Sequence, residues 1–366
     1  MTTNKAGKKI KRILAMAAVL CMIFLTGCVY KATGSGASNS AVPEETDVQK
    51  TGFGLALHFI DVGQGDSTLI QANGHYMLID AGEKDQTDVV INYLKEQGVK
   101  SLDYVIGTHP HSDHIGGLEG VIREFDIKNV MLPEKEHTTR IYEKLLDAIA
   151  DKNLKVTIPK AGERFSLGEA SFQIISPGRD YGDNLNNWSI GIRLVYGETS
   201  FVLCGDAEME AEQDMLLSGL PLKADVLKVS HHGSSTSSSP EFMNAVSPRY
   251  AVISCGKNND YGHPHKETLD LLKKQGINVL RTDQLGTIVI ESDGSSLRIP
   301  GQPGVSKQPE ETDTAREYII NSNTGKFHLP DCKLAKSIKK ENRERYTGSR
   351  EELVKKGLEP CKSCNP

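Results

Sequence analysis

The sequence predicts a mixed α/β body followed by a small, separate C-terminal module. Three observations predict it. Strand-type and helix-type hydrophobic periods alternate from Leu55 to Gly286. The second half of that stretch repeats the scheme with new strands and helices. A Pro/Gly/charged stretch, 301–315, then separates it from a tail with its own cysteines. A chain of 366 residues is long enough for one large domain plus appendages.

Taken in order, residues 55–60 and 67–70 read as neighbouring strands joined by Asp61-Val62-Gly63-Gln64-Gly65-Asp66. Residues 76–80 form a third, ending in Ala81-Gly82. Residues 87–97 carry helical spacing through Val89, Val90, Tyr93 and Leu94, and Gly98 stops them. The apolar strand 102–106 follows, then a helix over 138–150 with Ile141, Leu145, Leu146 and Ile149 on one face. In the second half, strands at 172–175, 190–195, 200–203, 225–229, 250–254 and 278–281 alternate with helices at 207–217, 240–246 and 266–275. Two halves of strands flanked by helices suggest sheets packed together with helices outside.

Composition is that of a globular protein, 38% hydrophobic and 25% charged. Charge is unevenly distributed. Residues 1–27 hold five Lys/Arg and no acid, residues 28–315 hold 26 Lys/Arg against 41 Asp/Glu (−15), and residues 316–366 hold 12 against 7 (+5). An acidic body disfavours tight nonspecific nucleic-acid binding, which rests on phosphate neutralisation. Only the tail has the favourable sign.

The N-terminus reads as an address. Lys5, Lys8, Lys9, Lys11 and Arg12 precede a short apolar run, 13–25, that ends in Leu25-Thr26-Gly27-Cys28. This resembles a bacterial lipoprotein signal with Cys28 as the lipidated residue. Residues 29–52, rich in small and polar residues, read as a flexible tether. The expected organisation is signal and lipobox at 1–28, tether at 29–52, body at 53–300, linker at 301–315 and Cys/His module at 316–366. The expected location is extracytoplasmic, held to the membrane through lipid on Cys28, with no partner protein evident. Cys204 and Cys255 lie in apolar runs and read as solitary buried thiols.

The strand at 102–106 runs into Thr108-His109-Pro110-His111-Ser112-Asp113-His114. Three imidazoles and a carboxylate within six residues, at the end of a buried strand, are ligand types that hold zinc and similar divalent ions. A polar surface loop would not concentrate four potential ligands in this way, so the segment reads as a metal centre.

The form His-x-His-x-Asp-His is similar to that of the metallo-β-lactamase superfamily. Residues 201–208, with Gly205-Asp206, resemble the family's strand that ends in a metal-bridging aspartate. Residues 227–234, with Ser230-His231-His232-Gly233-Ser234, resemble its later histidine segment. Together with Asp61 to Asp66, Asn187-Trp188-Ser189 and Tyr261-Gly262-His263-Pro264-His265, they resemble the ComEC-type branch over about residues 55–295. The resemblance implies a four-layer αββα sandwich and two divalent ions, zinc first and manganese as the alternative. His109, His111, Asp113, His114, Asp206 and His231 are the implied ligands. His232 stays open beside the preferred His231. No histidine lies between His137 and His231, where the wider family has a ligand, and Asn187 occupies the expected place as a weak auxiliary. Asp61 is read as either another auxiliary or a turn-capping carboxylate.

A divalent ion lowers the pKa of bound water from 15.7 to roughly 7. Asp113 is expected to orient that water, and His263 and His265 to steady the substrate or protonate a leaving oxygen. In the tail, His328, Cys332, Cys361 and Cys364 offer four zinc-type ligands and resemble the small Ada-related metal module. A structural zinc there competes with a disulfide. The expected function is a metal-dependent hydrolase acting on phosphodiesters, with extracellular DNA or RNA as substrate. The alternatives are a non-nucleic-acid ester, such as a cell-wall phosphocholine or a small ester, and a non-catalytic surface binding protein on the same fold.

Overall fold

The structure, a computed structural model, describes residues 53–300, 316–330, 332–361 and 364. Cys28 and the N-terminal signal and tether lie outside the described residues, as does the linker. Among the described residues no helix is long and apolar enough to cross a membrane.

The first half of the body contains strands β1 (Leu55–Phe59), β2 (Thr68–Ala72) and β3 (His75–Ile79), helix α1 (Thr87–Glu96), strand β4 (Ser101–Ile106) and helices α2 (Ser112–Ile115) and α3 (Leu118–Glu124). It continues with β5 (Asp126–Met131), α4 (Arg140–Asp151) and β6 (Val156–Thr157). The second half holds β7 (Arg164–Leu167), β8 (Ala170–Ser176), β9 (Gly191–Tyr196), β10 (Thr199–Leu203), α5 (Met209–Leu217), β11 (Val226–Lys228), α6 (Pro240–Val246), β12 (Tyr250–Ile253), α7 (Lys266–Lys274) and β13 (Asn278–Arg281). A short helix α8 (Thr282–Leu285) leads into β14 (Ile288–Ser292) and β15 (Leu297–Arg298), which return to the first sheet.

The strands form an eight-stranded sheet in the order β15-β14-β1-β2-β3-β4-β5-β6 and a seven-stranded sheet in the order β13-β12-β11-β10-β9-β8-β7. Period-2 alternation decides what each face meets. Leu57, Phe59, Met77 and Ile79 of the first sheet join Phe172, Ile192, Leu194 and Phe201 of the second in one buried cluster. The opposite face of the first sheet (Leu69, Leu78, Val105) packs on Val90 and Leu94 of α1, Val121 and Ile122 of α3, and Leu145 and Ile149 of α4. The opposite face of the second (Val202, Leu227, Ala251) packs on Met215 of α5, Phe242 and Met243 of α6, and Leu272 of α7. The body is therefore the four-layer αββα sandwich.

Each sheet is antiparallel on one side and parallel on the other: β3, β4, β5 and β6 run parallel, as do β10, β11, β12 and β13. Loops leaving the carboxyl ends of parallel strands gather on one edge, where α/β folds commonly bind ligands. Asp80 follows β3, the His109–His114 loop follows β4, Asp206 follows β10 and His231-His232 follow β11.

The tail folds as β16 (Arg316–Asn321), β17 (Lys326–His328), α9 (Lys333–Lys336), β18 (Arg343–Gly348), α10 (Arg350–Lys355) and β19 (Glu359–Pro360), with sheet order β18-β16-β17-β19. Its apolar interior is small, built on Tyr318, Ile320, Phe327 and Leu353.

Candidate metal centre

Asp113, His114, Asp206 and His232 bring one ligand atom each within 4.8 Å of one another. Asp206 Oδ2 stands 3.1 Å from His114 Nε2 and 3.4 Å from His232 Nε2, and Asp113 Oδ2 is 3.2 Å from His232 Nε2. On the other side of Asp206, His109 Nε2 lies 3.9 Å from Oδ2 and 2.9 Å from His111 Nδ1. Two nitrogens on one tetrahedral ion with bonds of 2.0–2.1 Å sit roughly 3.3 Å apart. The His109–His111 pair is close to that spacing. Asp206 thus stands between a two-histidine side and an Asp/His/His side.

The residues present fit divalent ions. His114 Nε2, His232 Nε2 and Asp206 Oδ1 are buried without a hydrogen-bond partner, although nearly all buried polar atoms have one. Imidazole and carboxylate donors suit zinc, manganese or iron. Burial opposes charge on His114, but Asp206, Asp113 and Asp80 outweigh it and hold the imidazole well above its ordinary pKa. Burial likewise opposes charge on Asp206, and His114 and His232 hold its carboxyl well below the usual range. A divalent cation would compensate the carboxylates gathered here.

The ligands are oriented from behind, as metal-binding histidines usually are. His114 Nδ1 donates to Asp80 Oδ2 at 2.8 Å, and Thr108 donates to the same carboxylate through N–H and Oγ1, each at 2.8 Å. His109 Nδ1 meets Thr108 Oγ1 at 3.2 Å and Ser189 Oγ at 3.3 Å, while Ser189 Oγ also accepts the Asp206 N–H at 3.0 Å. His232 Nδ1 donates to the Ser254 carbonyl at 3.0 Å and faces Asp66 Oδ1 at 3.3 Å. Asp66 in turn pairs with the ammonium of Lys228, whose side chain is 2% exposed. Two glycines are required here. A Cβ on Gly65 would lie 2.4 Å from the Asp113 carbonyl, and one on Gly205, at φ 52°, would lie 2.9 Å from Thr108 Oγ1.

The structure places several of the expected residues outside this cluster. His232, not His231, joins Asp113, His114 and Asp206. Both residues have left-handed backbone, φ 51° and 52°, which costs roughly 1–2 kcal/mol each in a non-glycine residue. That geometry turns one ring inward and leaves the other, 22% exposed, at the rim. There His231 Nε2 is 3.8 Å from Asp206 Oδ2, and Nδ1 faces Glu208 at 3.4 Å and Thr236 at 3.1 Å. Asn187 is not turned to the metals. Its Oδ1 accepts the Glu208 N–H at 2.9 Å and its Nδ2 donates to Glu210 at 3.1 Å, so both ends of the amide are engaged. Ser189 is the polar group beside His109. Asp61 caps a turn, accepting the Gly63 N–H at 3.2 Å, and is not gathered into the cluster.

His263 stacks on His232 with ring centroids 6.1 Å apart. Burial first, then His232, His231 and His265, push its pKa down to about 4, so at neutral pH it is uncharged. The structure thus places His263, expected to steady the substrate or protonate a leaving oxygen, against His232 at the edge of the cluster. His265 is a brace. Its Nδ1 accepts the Ser235 N–H at 2.9 Å, and its Nε2 donates to the Tyr261 carbonyl at 3.2 Å. Asp66, Asp80, Ser189, Glu208 and Lys228 were not assigned roles from sequence. Of these Asp66, Ser189, Glu208 and Lys228 lay inside motifs already singled out, and Asp80 did not.

In the tail, His328, Cys332, Cys361 and Cys364 also place ligand atoms within 4.8 Å of one another. Cys332 Sγ is 3.6 Å from His328 Nδ1, and the Leu329 N–H donates to Cys364 Sγ at 3.5 Å. The four residues are one zinc-type set, and no disulfide joins the described cysteines.

Residues 60–257 match the family model described as the metallo-beta-lactamase superfamily. ComE operon protein 3 of Bacillus subtilis (strain 168) is 37% identical over 247 residues, covering 63% of this chain and 32% of that one. Competence protein ComA of Neisseria gonorrhoeae is 32% identical over 231 residues, covering 62% and 31% respectively. The chain spans about a third of the length of these relatives. Among solved structures, the metallo-beta-lactamase fold protein YhfI from Bacillus subtilis aligns with a TM-score of 0.47 at 12% identity, over 65% of this chain and 100% of that one.

Proposed function

The chain belongs to the metallo-beta-lactamase superfamily, and from that premise we infer that this metal-dependent hydrolase is a phosphodiesterase acting on nucleic acid outside the cytoplasm, where lipid on Cys28 holds it. The observation that carries the reading is Asp206 standing between the His109/His111 side and the Asp113/His114/His232 side. That relatives carry the names Competence protein ComA and Recombination protein 2 supports nucleic acid over other esters.

Divalent ions held there would lower the pKa of bound water to roughly 7 and polarise a phosphoryl oxygen. The protein supplies the rest. Asp113, 25% exposed at the edge of the cluster, accepts a hydrogen bond from the attacking water and aims it. The Asp80–His114 and Thr108–His109 contacts fix which imidazole nitrogen faces inward. Lys228 offsets one of the four buried or half-buried carboxylates, Asp66, Asp80, Asp113 and Asp206. His263, stacked on His232 beside the cluster, is the imidazole placed to take a proton from the water and pass it to the leaving oxygen. A structural zinc on the Cys/His set would hold the tail, whose own core is small.

The test is turnover by the full-length protein with zinc or manganese on single- and double-stranded DNA, RNA, bis-p-nitrophenyl phosphate and nitrocefin, beside Asp113→Ala. Phosphodiester cleavage is expected from wild type. In Asp113→Ala the loss should exceed the roughly 10–100-fold that removing an outer-shell partner costs. Nitrocefin turnover without phosphodiester cleavage, or equal activity in the variant, would overturn the reading.

A further inference from the structure

His232, His263 and Tyr261 form a column of rings that leads outward from the metal centre. His263 lies over His232 at 6.1 Å with 26° between planes, and Tyr261 lies over His263 at 5.6 Å with 19°. Both separations are within the range of offset aromatic stacking. The last ring, Tyr261, is 67% exposed, so most of its surface meets solvent.

Side-chain hydrogen bonds tie down the backbone of the loop that presents it. Asn259 Nδ2 donates to the carbonyls of His263 (2.6 Å) and Gly256 (2.9 Å), and its Oδ1 accepts the His263 N–H at 3.0 Å. His265 Nε2 donates to the Tyr261 carbonyl at 3.2 Å. These bonds order backbone around a side chain that itself buries little. An exposed aromatic ring held in advance loses little freedom when a planar ligand stacks on it.

We propose that Tyr261 is a stacking platform for an unpaired nucleobase next to the scissile phosphodiester. The proposal rests on the phosphodiesterase reading and narrows its substrate to single strands or frayed ends, because a paired base already stacks on its neighbours. The charge distribution favours this mode. A body with 23 Lys/Arg against 35 Asp/Glu over residues 53–300 disfavours holding a polyanion by neutralising phosphates, whereas stacking needs no positive charge.

The experiment measures affinity for phosphorothioate single strands of DNA and of RNA, a matching duplex and a strand with one abasic position, using full-length wild type, Tyr261→Phe and Tyr261→Ala. The substituted side chain is exposed and the loop's bonds use backbone, so the variants keep the fold. Tyr261→Ala is expected to weaken single-strand binding about 5- to 150-fold, the range for loss of one base–aromatic stack. Tyr261→Phe should retain it, and duplex affinity should not change. When the base nearest the site is the one removed, wild type should fall to the Tyr261→Ala value. Unchanged affinity in Tyr261→Ala, or an equal loss on duplex, overturns the platform. Ordinary strands separate the two failures. Cleavage with Tyr261-independent binding leaves the phosphodiesterase reading standing without the platform. Tyr261-dependent binding with no cleavage of any phosphodiester does the reverse.

Discussion

Asp80 holds two ligand-bearing segments at once, through the Thr108 N–H, the Thr108 hydroxyl and His114 Nδ1. In Asp80→Asn one oxygen becomes an NH2 group that confronts a donor, so His114 loses its fixed tautomer. Metal affinity should fall about 10–100-fold, read by competition with a chromogenic chelator. His232→Ala should remove one ion from the metal stoichiometry, and His231→Ala should leave the count at the Asp113 side unchanged. The reverse pattern would return the ligand role to His231. Lys228 poses a different question, because its ammonium is buried against Asp66. Lys228→Met strands a buried carboxylate and should cost about 3–5 kcal/mol in denaturant unfolding, with Asp66→Asn restoring part of it. The segment His109–His114 was legible because its ligands fall within six consecutive residues. Asp66, Asp80 and Lys228 were not, since only sheet topology brings residues 66, 80 and 228 behind the histidines. Nor could spacing separate His231 from His232, because a left-handed backbone decides which ring turns inward.

At the scale of elements, strongly periodic segments were read to within a few residues. The helix expected over 87–97 is α1 (Thr87–Glu96), and the strand expected over 278–281 is β13 (Asn278–Arg281). What escaped were short or weakly patterned pieces. β5 alternates poorly, with Lys128 and Asn129 both exposed, and β14 and β15 pair back to the first sheet from far along the chain. β3, β4 and β5 are clasped at one end by Asp103, which accepts the Tyr76 N–H at 3.0 Å and Lys128 Nζ at 2.8 Å and lies 3.3 Å from His75 Nδ1. Partial burial opposes the charged form of Asp103, but these partners hold its carboxyl below the usual value. The clasp therefore adds stability above the unfolded carboxyl pKa of about 3.9 and loses it as pH falls through the lower folded value. Asp103→Asn should lower the denaturation midpoint at pH 7, by about 1–2 kcal/mol in free energy. It should also flatten the loss between pH 5 and pH 2. A wild-type slope retained in the variant would assign the acid sensitivity elsewhere.

For the whole molecule, the proposed reading has the strand held by stacking at Tyr261 and by charge on the tail. The body is net acidic and stacking releases no counterions, so on that reading contacts made at Tyr261 should depend little on salt. The tail carries +5, with Lys339, Lys340 and Arg343 all exposed around the start of β18. Each phosphate neutralised on a single strand adds about 0.7 to the slope of log affinity against log salt. Reversing these three charges (Lys339→Glu, Lys340→Glu and Arg343→Glu) in the full chain should flatten that slope by about 2, while the Tyr261→Ala loss persists at every salt concentration. All three lie outside the tail's Cys/His set, so its zinc-type ligands remain intact. A slope unchanged by the triple reversal would mean that the tail does not touch the strand. Its compact Cys/His fold would then serve another purpose than substrate capture, and stacking beside the metals would be left to hold the strand alone.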